Sequence, residues 1–210
     1  MIKSFDDLNQ KIEVCSKALE NKFAGEDGKR AIVLCGGTGC LSSNSAEIQA
    51  KFERLVKEND MEDIVSVNKV GCFGFCSQGP FVKIYPEDTL YRLVTIDDVD
   101  EIFEQDIKNH EVVERLLFVD PATHEKVTAQ DDINFYKKQV RVALHGCGQI
   151  NPEKIDEALG FGAFRGLERA LKMDRADVVK EVLDSGLRGR GGGGFPAGKK
   201  WAQVAKQKSP

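Results

Sequence analysis

Two cysteine pairs, each directly behind a short apolar stretch, constrain this chain more than any other feature. The first is Cys35-x4-Cys40 in "VLCGGTGCLSS", which follows Ala31-Ile32-Val33-Leu34. The second is Cys72-x3-Cys76 in "GCFGFCSQGP", which follows an alternating stretch over 64–70. Short β-rich runs bounded by glycine read as strands. If the two strands are parallel neighbours, both loops leave the sheet at the same edge, where α/β folds place their sites. Four thiols then converge.

The rest of the amino-terminal half supports that layout. Phe5, Leu8, Ile12, Cys15 and Leu19 recur at helical spacing, with Ser4 as the expected N-cap. A second helix is expected over 44–58, with Ile48, Phe52, Leu55 and Val56 on one face. Two strand-like runs, 81–85 and 90–94, flank Pro86-Glu87-Asp88-Thr89, a turn suited to a hairpin. Thr95 then reads as the N-cap of a helix through Ile96, Val99, Phe103 and Ile107, with Asp98 at the third position. The order is helix, strand, helix, strand, strand, strand, helix. It predicts a small α/β sandwich, close to a thioredoxin-like layout.

Residues 109–140 are charged and irregular, and read as a connector. A second region is expected from a strand over 140–144. Asn151-Pro152 reads as a helix start, and helices are expected over 161–172 and 174–185, with Gly186 as the stop of the last.

Thiolates are soft ligands that select zinc or iron–sulfur clusters. Structural zinc sites favour tight knuckles with two to four residues between ligands. A gap of four on one side and three on the other suits a wider object such as a [2Fe–2S] rhomb. Gly36, Gly37, Gly39, Gly71 and Gly74 permit positive φ or close approach of N–H groups to sulfur. The alternatives are structural zinc, two disulfides, or buried thiols with no common role. A phosphate loop is disfavoured, because no Lys-Ser/Thr follows the glycines.

Composition narrows the classes further. The chain has 210 residues with a formal charge of −4, which gives no global attraction to nucleic acid or anionic membrane. No stretch approaches the length of apolar residues needed to span a bilayer. The amino terminus lacks the apolar core of a signal peptide, so a reducing, cytoplasmic compartment is expected, where paired cysteines bind metal or do redox work.

A glycine-rich stretch, "GLRGRGGGGFPAGKKW", occupies 186–201. Successive N–H groups of such a run can cradle phosphate oxygens, and glycine lets a ring system lie against the backbone. The alternative is a flexible linker, although Phe195, Pro196 and Trp201 are unusual companions for one.

"CGGTGC" with "GCFGFCSQGP" resembles the thioredoxin-like [2Fe–2S] ferredoxin family, most closely the version fused to the amino terminus of the flavin subunit of NAD(P)-linked hydrogenases and related complexes. This implies that Cys35, Cys40, Cys72 and Cys76 hold a [2Fe–2S] cluster. "GCGQINPEKIDEALGFGAFRGLERAL" and the glycine loop resemble the 51-kDa-type flavin subunit of respiratory complex I and its hydrogenase relatives. This implies that Gly189, Arg190, Gly191, Gly192, Gly193, Gly194, Phe195 and Lys200 face FMN and a nicotinamide dinucleotide. Ala197, Gly146 and His145 stand where that family often has Thr, Asn and Arg.

The expected organisation is a thioredoxin-like [2Fe–2S] domain over 1–118, a linker over 119–140, and the truncated start of an α/β FMN/NADH-binding domain over 141–210. In the family the flavin domain continues further, so the chain reads as the amino-terminal part of a longer subunit that would not hold FMN alone. The resemblance implies electron transfer between NAD(P)H, FMN and iron–sulfur clusters. The implied partners are other subunits, namely a small [2Fe–2S] subunit and a hydrogenase or dehydrogenase catalytic subunit. Nucleic acid and direct membrane insertion are not expected. The rival readings are a non-enzymatic [2Fe–2S] carrier or docking module, and a zinc-bound structural module. No catalytic side chain is assigned.

Cys15 falls on the apolar face of the first helix and reads as a core thiol. Cys147, between Gly146 and Gly148, reads as structural. His110, His124 and His145 have no zinc-like spacing. Asp97, Asp98, Asp100 and Glu101 read as a solvated helix start.

Overall fold

The computed structural model describes residues 2–25 and 28–208. The chain divides into two compact units, one spanning Asp6–Gly162 and one built on Ala163–Pro210. The first unit contains α1 (Phe5–Ala24), β1 (Arg30–Cys35), α2 (Thr38–Leu41), α3 (Ser45–Glu58), β2 (Val65–Val70), β3 (Val82–Tyr85) and β4 (Thr89–Tyr91). It continues through α4 (Asp98–Ile102), a π-helical turn at Phe103–Lys108, β5 (Phe118–Val119), β6 (Lys126–Val127), α5 (Asn134–Lys137) and α6 (Ile155–Gly160).

Among the described residues, four strands form one sheet in the order β2-β1-β3-β4. β1 and β2 are parallel, with Cys35 opposite Val70. β1 and β3 are antiparallel, as are β3 and β4. The β3–β4 hairpin turns through Asp88 at φ 62°.

β1 is central, and its alternation builds two cores. Ile32 and Leu34 face a cluster with Ile48, Phe52 and Val56 of α3 and Val99, Ile102 and Phe103 beyond it. Ala31, Val33 and Cys35 face the other side, with Val70, Phe73, Phe81, Ile133 and Tyr136. Each fully buried Ile or Phe contributes about 1.5–3 kcal/mol relative to exposure. A strand covered on both faces reads as the near-continuous apolar run found at 31–34.

Residues 119–140, expected as a linker, supply that second cover. Ile133 and Tyr136 are buried in the same cluster as Cys35 and Cys40. Gln130 is also buried, and its Oε1 accepts from the buried Lys83 ammonium at 3.1 Å. The apolar anchors are too few and too widely spaced among charges to show a period, which is why the segment reads as a connector. The strand expected over 140–144 is irregular backbone that bends at 142 and enters a turn at 143, and Val140 is 92% exposed. Its alternating valines carry a strand pattern but find no strand to pair with.

The helix expected at Asn151-Pro152 starts at Ile155. Asn151 Oδ1 accepts from the Glu153 N–H at 3.0 Å, and Glu157 accepts from the Asn151 N–H at 2.8 Å, so Asn151 closes a turn instead. α6 then docks on α1, where Leu159 joins Ile12 and Cys15. A Cβ on Gly160 would lie 2.5 Å from the Cys15 carbonyl oxygen, so the contact requires glycine. Cys15 is a buried core thiol, as its helical position predicts.

The acidic run is more than a solvated terminus. Asp98 is buried and accepts from both the N–H and hydroxyl of Thr95 at 2.7 Å, and it pairs with Arg115 at 2.5 Å. Against the cost of burial, these partners hold its carboxyl below the usual range.

In the second unit, α7 (Arg165–Leu171), α8 (Arg175–Asp184) and α9 (Ala197–Ala205) follow. The helix expected over 161–172 begins only at Arg165, because Phe164 sits at φ 68°. Gly186, at φ 65°, ends α8 as expected. A Cβ on Gly198 would lie 2.2 Å from the Leu183 Cα, so α8 and α9 meet backbone to backbone.

One buried polar network joins sheet and helix. Arg30 pairs with Asp106 at 2.5 Å and donates to the Ile107 carbonyl at 3.2 Å. Tyr91 donates its hydroxyl proton to Asp106 and accepts from the Val113 N–H at 3.1 Å. Removing one partner leaves an uncompensated buried charge. Asp106→Ala should therefore lower unfolding free energy by about 3–5 kcal/mol in chemical denaturation.

Candidate metal centre

The parallel pairing of β1 and β2 sends the 36–40 and 71–76 loops out at one sheet edge. The Gly36 N–H bonds the Val70 carbonyl at 2.8 Å and fastens the two exits together. The first loop turns at once into α2, which carries Cys40 inward. The second ends in a 3-10 turn at Cys76–Gln78. The four expected cysteines come together: Cys35 has Cys40 and Cys72 as electrostatic neighbours, and Cys72 has Cys76. Cys35 and Cys40 are buried, Cys72 is half-buried, and Cys76 is exposed. The group thus runs from the core to the surface.

Backbone donors surround it. The N–H groups of Phe73 and Gly37 point at Cys35, and that of Phe81 at Cys40. The Gly74 N–H reaches the Cys72 sulfur at 3.2 Å. The neighbouring Cys40 holds the Cys35 thiol below its ordinary value against its burial, and the backbone N–H groups act the same way. Cys40 is pushed up by Cys35, and burial adds to the effect. Burial also raises Cys72, opposed by the Gly74 N–H. The surroundings thus favour negative charge at Cys35 over Cys40.

The loop glycines divide by role. Gly74 alone among the five expected takes positive φ, at 85°. Gly37 makes a close approach, since a Cβ there would lie 3.1 Å from the Cys72 sulfur. Gly79 is tighter still: its Cβ would lie 2.6 Å from the Cys40 sulfur. The "CSQGP" context shows a glycine there but not its contact with the first pair. Among the described residues, no three His, Cys, Asp or Glu side chains surround a single point as ligands to one ion.

The 133–150 segment closes over the second loop. The Gly71 N–H bonds the Ile150 carbonyl at 2.9 Å. Tyr136 donates its hydroxyl proton to the Phe73 carbonyl at 3.2 Å, and Phe75 stacks on Phe135 at 4.2 Å. Nothing in the sequence pattern singles out Tyr136.

The family model for the thioredoxin-like [2Fe–2S] ferredoxin matches residues 22–106. A 2Fe–2S ferredoxin from Clostridium pasteurianum is 52% identical over 77 residues, covering 37% of this chain and 76% of that protein. The chain belongs to the thioredoxin-like [2Fe–2S] ferredoxin family. It is also 52% identical over 65 residues to the HndC subunit of the NADP-reducing hydrogenase from Solidesulfovibrio fructosivorans, covering 31% of this chain and 13% of HndC. The F-type subunit of the NADH-quinone oxidoreductase from Aquifex aeolicus is 46% identical over 56 residues, covering 27% of this chain and 13% of that protein. The chain thus matches only about an eighth of the length of either of those two relatives.

The donor set fits the family's cluster. Four neighbouring thiols, backbone N–H groups directed at three of them, and a glycine whose Cβ would strike the Cys40 sulfur make a sulfur-lined cradle that reaches the surface at Cys76.

The expected flavin residues lie in the other compact unit. Gly189, Arg190, Gly191, Gly192, Gly193, Gly194 and Phe195 form one exposed excursion, closed by a bond from the Gly189 N–H to the Phe195 carbonyl at 2.9 Å. Gly192 and Gly194 take positive φ, and no atom lies within 4 Å of where a Cβ on Gly191 to Gly194 would stand. Lys200 lies on α9 in the turn that follows. His145 donates from Nδ1 to the Val142 carbonyl at 2.8 Å and stacks on Phe161. Cys147 is half-buried.

Gly79→Ala should force the Cys40 sulfur aside. Iron affinity should fall roughly 10–100-fold, as it does when close supports of a metal site are changed. Iron titration of the metal-free chain measures this, and circular dichroism of that chain should be unchanged.

Proposed function

We propose that the Asp6–Gly162 unit is a one-electron relay in which Cys35, Cys40, Cys72 and Cys76 hold a [2Fe–2S] cluster. The group of four thiols, with Gly37, Phe73, Gly74 and Phe81 donating to sulfur, carries this reading. When bound, such a cluster accepts and gives single electrons. The protein's part is to shield Cys35 and Cys40 from water, to direct backbone dipoles at the sulfurs, and to leave Cys76 at the surface, where a partner can approach.

The similarity to HndC and to the NADH-quinone oxidoreductase protein extends the proposal. The relay unit would be followed, from Ala163 on, by the start of an FMN/NAD(P)H-binding domain in a multi-subunit, cytoplasmic oxidoreductase. A flavin suits that junction because it converts a two-electron donor to one-electron carriers. Gly189 to Gly194 support this: no packing within the chain demands glycine at 191–194, and their open backbone would admit a ring system. Arg190 and Lys200 would neutralise phosphate, and Phe195 would line the ring. No helix among the described residues is long and apolar enough to cross a membrane.

Anaerobic purification tests the relay. Broad visible absorption should appear and bleach with dithionite. Cys40→Ser or Cys72→Ser should remove most of it, while Cys15→Ser should retain it with some loss of stability. A colourless native chain would contradict the proposal, and loss of iron in Cys15→Ser alone would overturn the ligand assignment.

A further inference from the structure

The hydrogen bond between Tyr136 and the Cys72 loop has a chemical consequence. Tyr136 O–H donates to the Phe73 carbonyl at 3.2 Å. The same peptide unit carries the Gly74 N–H, which donates to the Cys72 sulfur at 3.2 Å. Hydroxyl, peptide and sulfur are therefore in series. A hydrogen bond accepted by a peptide oxygen draws electron density from its nitrogen and strengthens the bond the N–H donates.

We propose that Tyr136 is a positioning residue that raises the reduction potential of the cluster through the 73–74 peptide. This rests on the assignment of Cys72 as a cluster ligand. Reduction adds negative charge that the sulfurs share, so stronger N–H donation favours the reduced form. Removing the hydroxyl weakens that donation and lowers the potential.

The setting separates this effect from packing. Tyr136 is 4% exposed, and its ring is held by Phe135 at 5.1 Å, by Phe75 at 6.2 Å and by the Arg141 guanidinium at 5.3 Å. A phenylalanine keeps those ring contacts and loses only the hydrogen bond. Phe73 is itself 1% exposed, so its carbonyl is shielded from replacement by bulk water. Tyr136 lies outside the matched 22–106 span, so this control is added to the ferredoxin domain by the segment that follows it.

The test is a redox titration of the whole chain carrying its cluster, followed by visible absorption, with iron content measured in parallel. Tyr136→Phe should keep its iron and lower the reduced-to-oxidised ratio at a fixed potential about threefold, which is about 30 mV for a one-electron couple. Phe135→Leu, which alters packing but not the hydrogen bond, should leave the midpoint unchanged. An unchanged midpoint in Tyr136→Phe, or an equal fall in Phe135→Leu, would overturn the inference. If Tyr136→Phe holds no cluster, replacing Tyr136 with 3-fluorotyrosine decides, because a stronger donor of the same shape should raise the midpoint and an unchanged value refutes the role. A native chain without any cluster would instead count against the ligand assignment.

Discussion

The parallel ladder between β1 and β2 places Cys35 beside Val70, and the rest of the site depends on that register. Because both strands run the same way, both cysteine loops begin at the same sheet edge. A slip of one residue would turn Cys35 to the opposite face of β1, away from Phe73 and Tyr136. The alternation of β1 fixes this register from within: Ile32 and Leu34 are committed to one core, and Val33 and Cys35 to the other. Packing on both faces thus aims the first thiol, and the Gly36 to Val70 bond brings the second loop to it.

The second core links stability to chemistry. Cys35 and Cys40 share it with Phe73, Phe81, Ile133 and Tyr136, so the side chains that hold the sheet's far face also seal the sulfurs. Phe73 and Phe81 do both jobs. Their rings are buried, 5.5 Å apart, and their N–H groups reach Cys35 and Cys40. Cys76 remains exposed, which gives the group one protected end and one accessible end.

Much of this was legible in the sequence, because strong periodicity and paired cysteines are local signals. The first helix, the two strands that carry the cysteine pairs, the hairpin and α3 follow from apolar spacing, and the convergence of the four cysteines follows once those two strands are parallel. The functions of 119–150 were not legible. Ile133 and Tyr136 are isolated among charges, and their value depends on a sheet face formed much earlier in the chain. Gly79 and the Arg30–Asp106–Tyr91 network share that dependence: each acts across the fold on a residue far away in sequence. The valine alternation at 140–144 misleads for the converse reason, since a local strand pattern forms no strand without a neighbour.

The central claim is that four thiols share one two-iron cluster. Elemental analysis with sulfide determination on the anaerobically purified chain tests it most directly. The account predicts two iron and two acid-labile sulfide per chain, with zinc absent. One zinc per chain, with neither iron nor sulfide, would contradict it.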